Sequence, residues 1–115
     1  MPTKEEHLAK AEHNEDFVND IGNPYFGWQI TGTFYAALHY IEAYLAKNGI
    51  HFTDHTVRTS YVQKEARLRS IYVDYRELLN ESRSARYEAV PFAQVDVTRI
   101  QRSFARIKAL VQPLI

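Results

Sequence analysis

Residues Gln29 to Arg58 read QITGTFYAALHYIEAYLAKNGIHFTDHTVR. From Gln29 to Leu45 only Glu42 is charged, and Ile30, Phe34, Ala37, Leu38, Ile41 and Leu45 keep the i, i+3, i+4 rhythm of a buried helical stripe. Ala36, Tyr40, Ala43 and Tyr44 make the flanks apolar or aromatic as well, so more than one partner must pack on this helix. Asn48-Gly49 supplies its stop, because glycine accepts the left-handed conformation that ends a helix. A turn with His51, Asp54 and His55 follows. Asp54 suits the N-cap of a new helix that carries Arg58. Three of the five histidines therefore crowd one helix–turn–helix.

The remaining segments read outward from this centre as helices. Upstream, Thr3 and Glu6 form a capping box for a helix over roughly 3–20, whose sparse apolar positions place it at the edge. Gly22-Asn23-Pro24 breaks it from the central helix, which spans about Tyr25 to Asn48. Downstream, Asp54 to Tyr87 holds no glycine or proline. Tyr61, Leu68, Ile71, Tyr72, Tyr75, Leu78 and Leu79 mark a stripe there. The spacing predicts two helices with a break near Arg67–Ser70, one long helix being the alternative. Pro91 closes this region. Val97, Ile100, Phe104, Ile107, Val111 and Leu114 then give the cleanest amphipathic pattern, in a helix starting between Gln94 and Val97. No stretch alternates with period two. The expectation is a single all-α domain over 1–115, an up-and-down bundle of four or five helices. Its predicted core holds Phe34, Leu38, Ile41, Leu45, Leu68, Tyr75, Ile100, Phe104 and Ile107.

Composition narrows the chemistry. A chain of 115 residues buries roughly two-thirds of its unfolded surface. With no cysteine, disulfides, thiolate metal sites and cysteine nucleophiles are excluded. The N-terminus is charged from the start and no apolar run approaches the ~20 residues of a membrane span, so a cytoplasmic protein without membrane contact is expected. The formal net charge is zero, yet residues 1–57 carry three basic and eight acidic side chains and residues 58–115 eleven basic and six acidic. Complementary helix faces would explain that asymmetry; so would a basic surface on the C-terminal helices that meets phosphates.

Several residues could carry a site. His51 and His55 are four apart, a metal-ligand spacing on one helix, but the Asp54 cap leaves His51 in the loop, and only Asp54 or His39 is near enough to complete a set. No metal and no cofactor is therefore expected. His55 in a first helical turn should lean neutral; beside Arg58 it could act as a base or hydrogen-bond donor against an anion. The alternative is that both pin the loop, Arg58 to a carboxylate such as Asp54. His39, with Tyr35 and Glu42, forms a polar trio on an apolar helix, either an internal network or the wall of a groove. Arg69, Arg76 and Arg83 are spaced by sevens, with Tyr87 in the same row. Such a stripe suits phosphate unless Glu65, Glu77 and Glu81 neutralise it.

The YxAALHxxEAYLA-like central helix, the NGIH turn, the capped DHTVR and the later SRSARY resemble, in order and spacing, the HEPN superfamily of small prokaryotic helical domains, in its uncharacterised branch. The likeness runs from Tyr25 to about Leu110. It implies a four- or five-helix bundle that dimerises, with functional residues near the dimer cleft. Many members are metal-independent ribonucleases, often toxins paired with a nucleotidyltransferase-type partner. Their motif is an arginine followed four to six residues later by histidine. Here the first arginine, Arg58, follows the last histidine, His55, so that motif cannot exist in the family's order.

Three readings result. One is a dimeric nucleotide-, RNA- or partner-binding module using His51, His39, Arg83, Arg86 and Tyr87. A second is a ribonuclease with His55 and Arg58 or Arg83 as its catalytic groups. A third is a purely structural interaction module. The surplus apolar surface on the central helix argues for a homodimer. If the 55–87 region folds back on itself, His55 and Arg58 should meet Arg83 or Tyr87 in one basic cleft.

Overall fold

The computed structural model describes all 115 residues. Five helices make up the chain: α1 (Lys4–Ile21), α2 (Phe26–Lys47), α3 (His55–Lys64), α4 (Tyr72–Tyr87) and α5 (Gln94–Val111). Short 3-10 turns cover Arg69–Ile71 and Gln112–Leu114, and there is no strand. No helix is long and apolar enough to cross a membrane.

Helix ends follow local chemistry. Thr3 and Glu6 form the expected reciprocal capping box on α1. Gly49, at φ 73°, turns the chain out of α2. The Asp54 carboxylate accepts from the Thr56 and Val57 amides and starts α3. After Lys64 the Glu65 carboxylate accepts from the Arg67 amide. The resulting turn, with the 3-10 segment after it, separates α3 from α4, so the 55–87 region is two helices.

α2 is the hub, packed on α1, α4 and α5. The α1–α2 contact is close because of Gly32: a Cβ there would lie 2.7 Å from Val18 Cγ2 and 3.0 Å from Phe17 Cδ2. All nine predicted core residues lie in one buried cluster, joined by Ile30, Tyr40, Leu78 and Val111 among others. Both flanks of α2 are buried too, Ala36, Tyr40, Ala43 and Tyr44 included. The apolar surplus that suggested a homodimer is therefore covered within the chain. Across the far side of the bundle, Tyr40 donates its hydroxyl to Glu15, which also pairs with Lys108 of α5 at 2.9 Å.

Candidate functional site

The polar trio on α2 divides among three partners. Tyr35 reaches α4, where its hydroxyl accepts from Arg86 Nη1 at 2.7 Å. His39 meets α1: its Nδ1 lies 3.0 Å from Nδ1 of His7, and the rings stack at 5.3 Å between centroids. Only one of those two nitrogens can donate, so the pair cannot hold two charged rings. Burial is the main cause that pushes the His39 pKa down to about 4 and lowers that of His7, whose field also includes Glu42, His51 and Arg58. Glu42 reaches α3 and pairs with Arg58 Nε.

Arg58 is the interior cation of this network. It is 5% exposed. Two further donors go to the Phe52 carbonyl at 3.0 Å and to His55 Nδ1 at 3.0 Å. Glu42, not Asp54, supplies the carboxylate, since the Asp54 oxygens are occupied capping α3. An arginine only donates, so His55 Nδ1 accepts and the ring carries its proton on Nε2. Its pKa is lowered first by burial and then by Arg58, Arg83 and Arg86, with Asp54 opposing. His55 is thus a neutral imidazole that offers an N–H, and Arg58 is a buried brace that lines neither the groove beside α3 nor the cavity beside Trp28. Tyr75 lies in the same field, and burial of its hydroxyl raises its pKa while Arg58 opposes that shift.

Outside this closed network the arginine row stands open. Of the carboxylates expected to neutralise it, Glu77 and Glu81 instead pair with Arg99 on α5, and Glu65 caps the turn after α3. No carboxylate lies within ion-pairing distance of Arg76, Arg83 or Arg86. Arg76 and Arg83 face Thr56, Thr59, Ser60 and Gln63 of α3 across a groove of about 250 Å³ whose lining holds no acidic residue. Thr59, on the groove wall, gives its own hydroxyl proton to the His55 carbonyl. Arg86 sits one turn beyond Arg83. It is half-buried and fixed by Ser82 and Tyr35, with its guanidinium near the rings of Phe34, Tyr35 and Tyr87 at 5.9, 5.4 and 5.2 Å. Tyr87 itself is 77% exposed.

The antiparallel return of α4 along α3 thus brings His55, Arg58, Arg83, Arg86 and Tyr87 to one corner, within a single chain. His39 and His51 are not part of it: His39 belongs to the α1–α2 seam, and His51, half-buried in the α2–α3 turn, bears on His7. No three His, Cys, Asp or Glu side chains converge as a metal set. Sequence reasoning passed over His7, which only its spacing from His39 across two helices could reveal, and Trp28, whose exposure beside α4 has no sequence signal. A cleft of about 490 Å³ between α1 and α5 contains none of the predicted site residues.

Comparisons with protein-family models, with curated proteins and with solved structures return no match for this chain.

Proposed function

We propose that this chain is a non-catalytic helical module that binds a phosphate-bearing ligand, a nucleotide or RNA, on the basic corner formed by α3 and the C-terminal half of α4. The observation that carries the reading is that Arg76, Arg83 and Arg86 form no ion pair, the first two along a hydroxyl-lined groove free of carboxylates and Arg86 one turn beyond. Charge with no internal partner is available to an anion, and guanidinium matches phosphate oxygens in a bidentate fashion.

A cleaving role is less well supported. A general base needs an accepting nitrogen, and the His55 nitrogen that accepts is already taken by Arg58. Protonating the ring for acid catalysis would add a cation among three arginines. The HEPN resemblance fits the binding reading, as does the absence of that family's Arg-then-His order. No second subunit is needed to assemble the corner.

The test is a salt titration of RNA and mononucleotide binding, with EDTA-treated RNA followed on gels over the same period. Binding should weaken steeply as salt rises, because phosphate contacts release counterions. The RNA should stay intact. Undiminished RNA affinity in an Arg76→Ala/Arg83→Ala variant would sink the assignment of this groove; steady RNA cleavage lost on His55→Ala would restore the catalytic reading.

A further inference from the structure

Next to the basic groove lies a second, smaller cavity of about 190 Å³, walled by Gly27, Trp28 and Thr31 of α2 and by Ala85 and Arg86 of α4. It is below the ~300–1,000 Å³ of pockets for drug-sized ligands, so one planar ring system is the size of occupant it suits. Trp28 is 60% exposed and pairs with no other aromatic ring. An indole face left open to water on the wall of a cavity is a stacking surface in waiting.

Arg86 gives the cavity its polarity. Nε donates to the Ser82 carbonyl at 3.1 Å, Nη1 to the Tyr35 hydroxyl at 2.7 Å and Nη2 to the Ser82 hydroxyl at 3.4 Å. Three of five N–H groups are used, all on uncharged oxygens, and two remain. Thr31 has given its hydroxyl proton to the Gly27 carbonyl. Besides the Trp28 indole N–H, the free donors at this wall are those of a guanidinium held in place before any ligand arrives. Such a wall calls for a ring with acceptors on its edge, the pattern that nucleobases present to arginine. An aliphatic occupant would strand the Arg86 donors, and a bare anion would leave the indole unused.

We infer that the Trp28–Arg86 cavity takes an unpaired nucleobase, with the attached phosphate on Arg83. Arg83 and Arg86 are one turn apart on α4, about 4.5 Å along the axis, so one nucleotide spans both. The inference rests on the phosphate-binding reading above and adds a restriction to it: the ligand is a free nucleotide or a single strand, since a duplex keeps its bases stacked inside.

Trp28 is the only tryptophan in the chain, so its fluorescence reports on this cavity alone. The probes are GMP, a single-stranded octauridylate, ribose 5-phosphate and a blunt RNA duplex, each titrated at low salt with calorimetry in parallel. Saturable quenching of Trp28 by GMP or octauridylate, with none from ribose 5-phosphate or duplex, is the expected result. GMP without octauridylate marks the free nucleotide as the ligand, and octauridylate binding the tighter marks the single strand. Trp28→Ala should weaken binding of the quenching probe about ten-fold or more, and Trp28→Phe should recover most of it. If octauridylate binds by calorimetry while Trp28 emission and Trp28→Ala affinity are unchanged, the inference falls and the phosphate reading stands. Calorimetric silence from all four probes removes both.

Discussion

Arg58 and Arg86 begin from the same chemistry and end in opposite conditions. Arg58 is buried, its charge matched by Glu42 and two of its other donors taken up by a carbonyl and an imidazole. Arg86 is equally well held, yet only by neutral oxygens and aromatic faces, and a cavity opens beside it. A buried cation matched by a buried carboxylate belongs to the scaffold; an ordered cation with no counter-charge and open space in front of it is a site. The difference is set by where α2 sends its acids. Glu42 points to α3, and no acidic residue of α2 faces α4.

If that contrast is right, breaking the closed side should cost the most. Glu42→Ala leaves a guanidinium buried without a counter-charge and should destabilise the fold by about 3–5 kcal/mol, read from the urea midpoint. Replacing both partners by apolar side chains, Glu42→Leu with Arg58→Met, should recover most of that loss, because no uncompensated charge remains. A Glu42→Ala variant as stable as the parent would mean that the pair is not the brace described.

The two glycines of α2 draw the same contrast in steric terms. At Gly32 an added methyl meets Val18 and Phe17 well inside contact distance, so Gly32→Ala should cost about 1–3 kcal/mol as α1 is pushed off. At Gly27, on the rim of the open cavity, the nearest atom is the Ala85 Cβ at 3.8 Å. Gly27→Ala should therefore be neutral, or stabilising by about 0.5–1 kcal/mol through better helix propensity. Thermal unfolding of the two variants side by side is the check.

Much of this architecture was legible in the sequence, and the illegible part has a definite cause. Helix ends were readable because Thr3, Gly49 and Asp54 act on neighbours a few residues away. The core was readable because apolar periodicity along α2 and α5 reports burial directly. Side-chain pairing between helices was not. Asp54 is nearer Arg58 in sequence than Glu42 is, and Glu77 and Glu81 sit on the same helix as Arg76 and Arg83; sequence distance favoured the wrong partner in both cases. Which carboxylate an arginine meets depends on the rotation of packed helices about their axes, and a one-dimensional pattern does not encode it.

A pH titration probes the closed side more gently. The folded-state pKa of His39 lies near 4, below its ordinary 6.5, and that of His7 is lowered too. The unfolded chain therefore binds more protons between those values. Stability contributed by the pair is complete above about pH 6.5 and is lost as the pH falls toward about 4. The urea midpoint should drop across that window. His39→Gln should flatten the acid side of the curve. Equal slopes in the parent and His39→Gln would show that other groups govern the acid response.

The smallest effect on stability is the most telling for function. Arg83 is exposed, makes no ion pair, and lines the groove opposite α3. It makes no hydrogen bond or ion pair inside the fold and touches it only through the field that helps lower the His55 pKa, so Arg83→Ala should change the unfolding free energy by no more than about 0.5 kcal/mol, the range of ordinary surface substitutions. Any effect on ligand binding then cannot be ascribed to a damaged fold. Removing one phosphate contact should reduce the slope of log affinity against log salt by about 0.7 for a single strand. Arg83→Lys keeps the charge but not the fork, and should hold the slope while losing part of the affinity. A groove that binds RNA with the same salt slope before and after Arg83→Ala would place the phosphate elsewhere, and the comparison with Arg58 would lose its functional half.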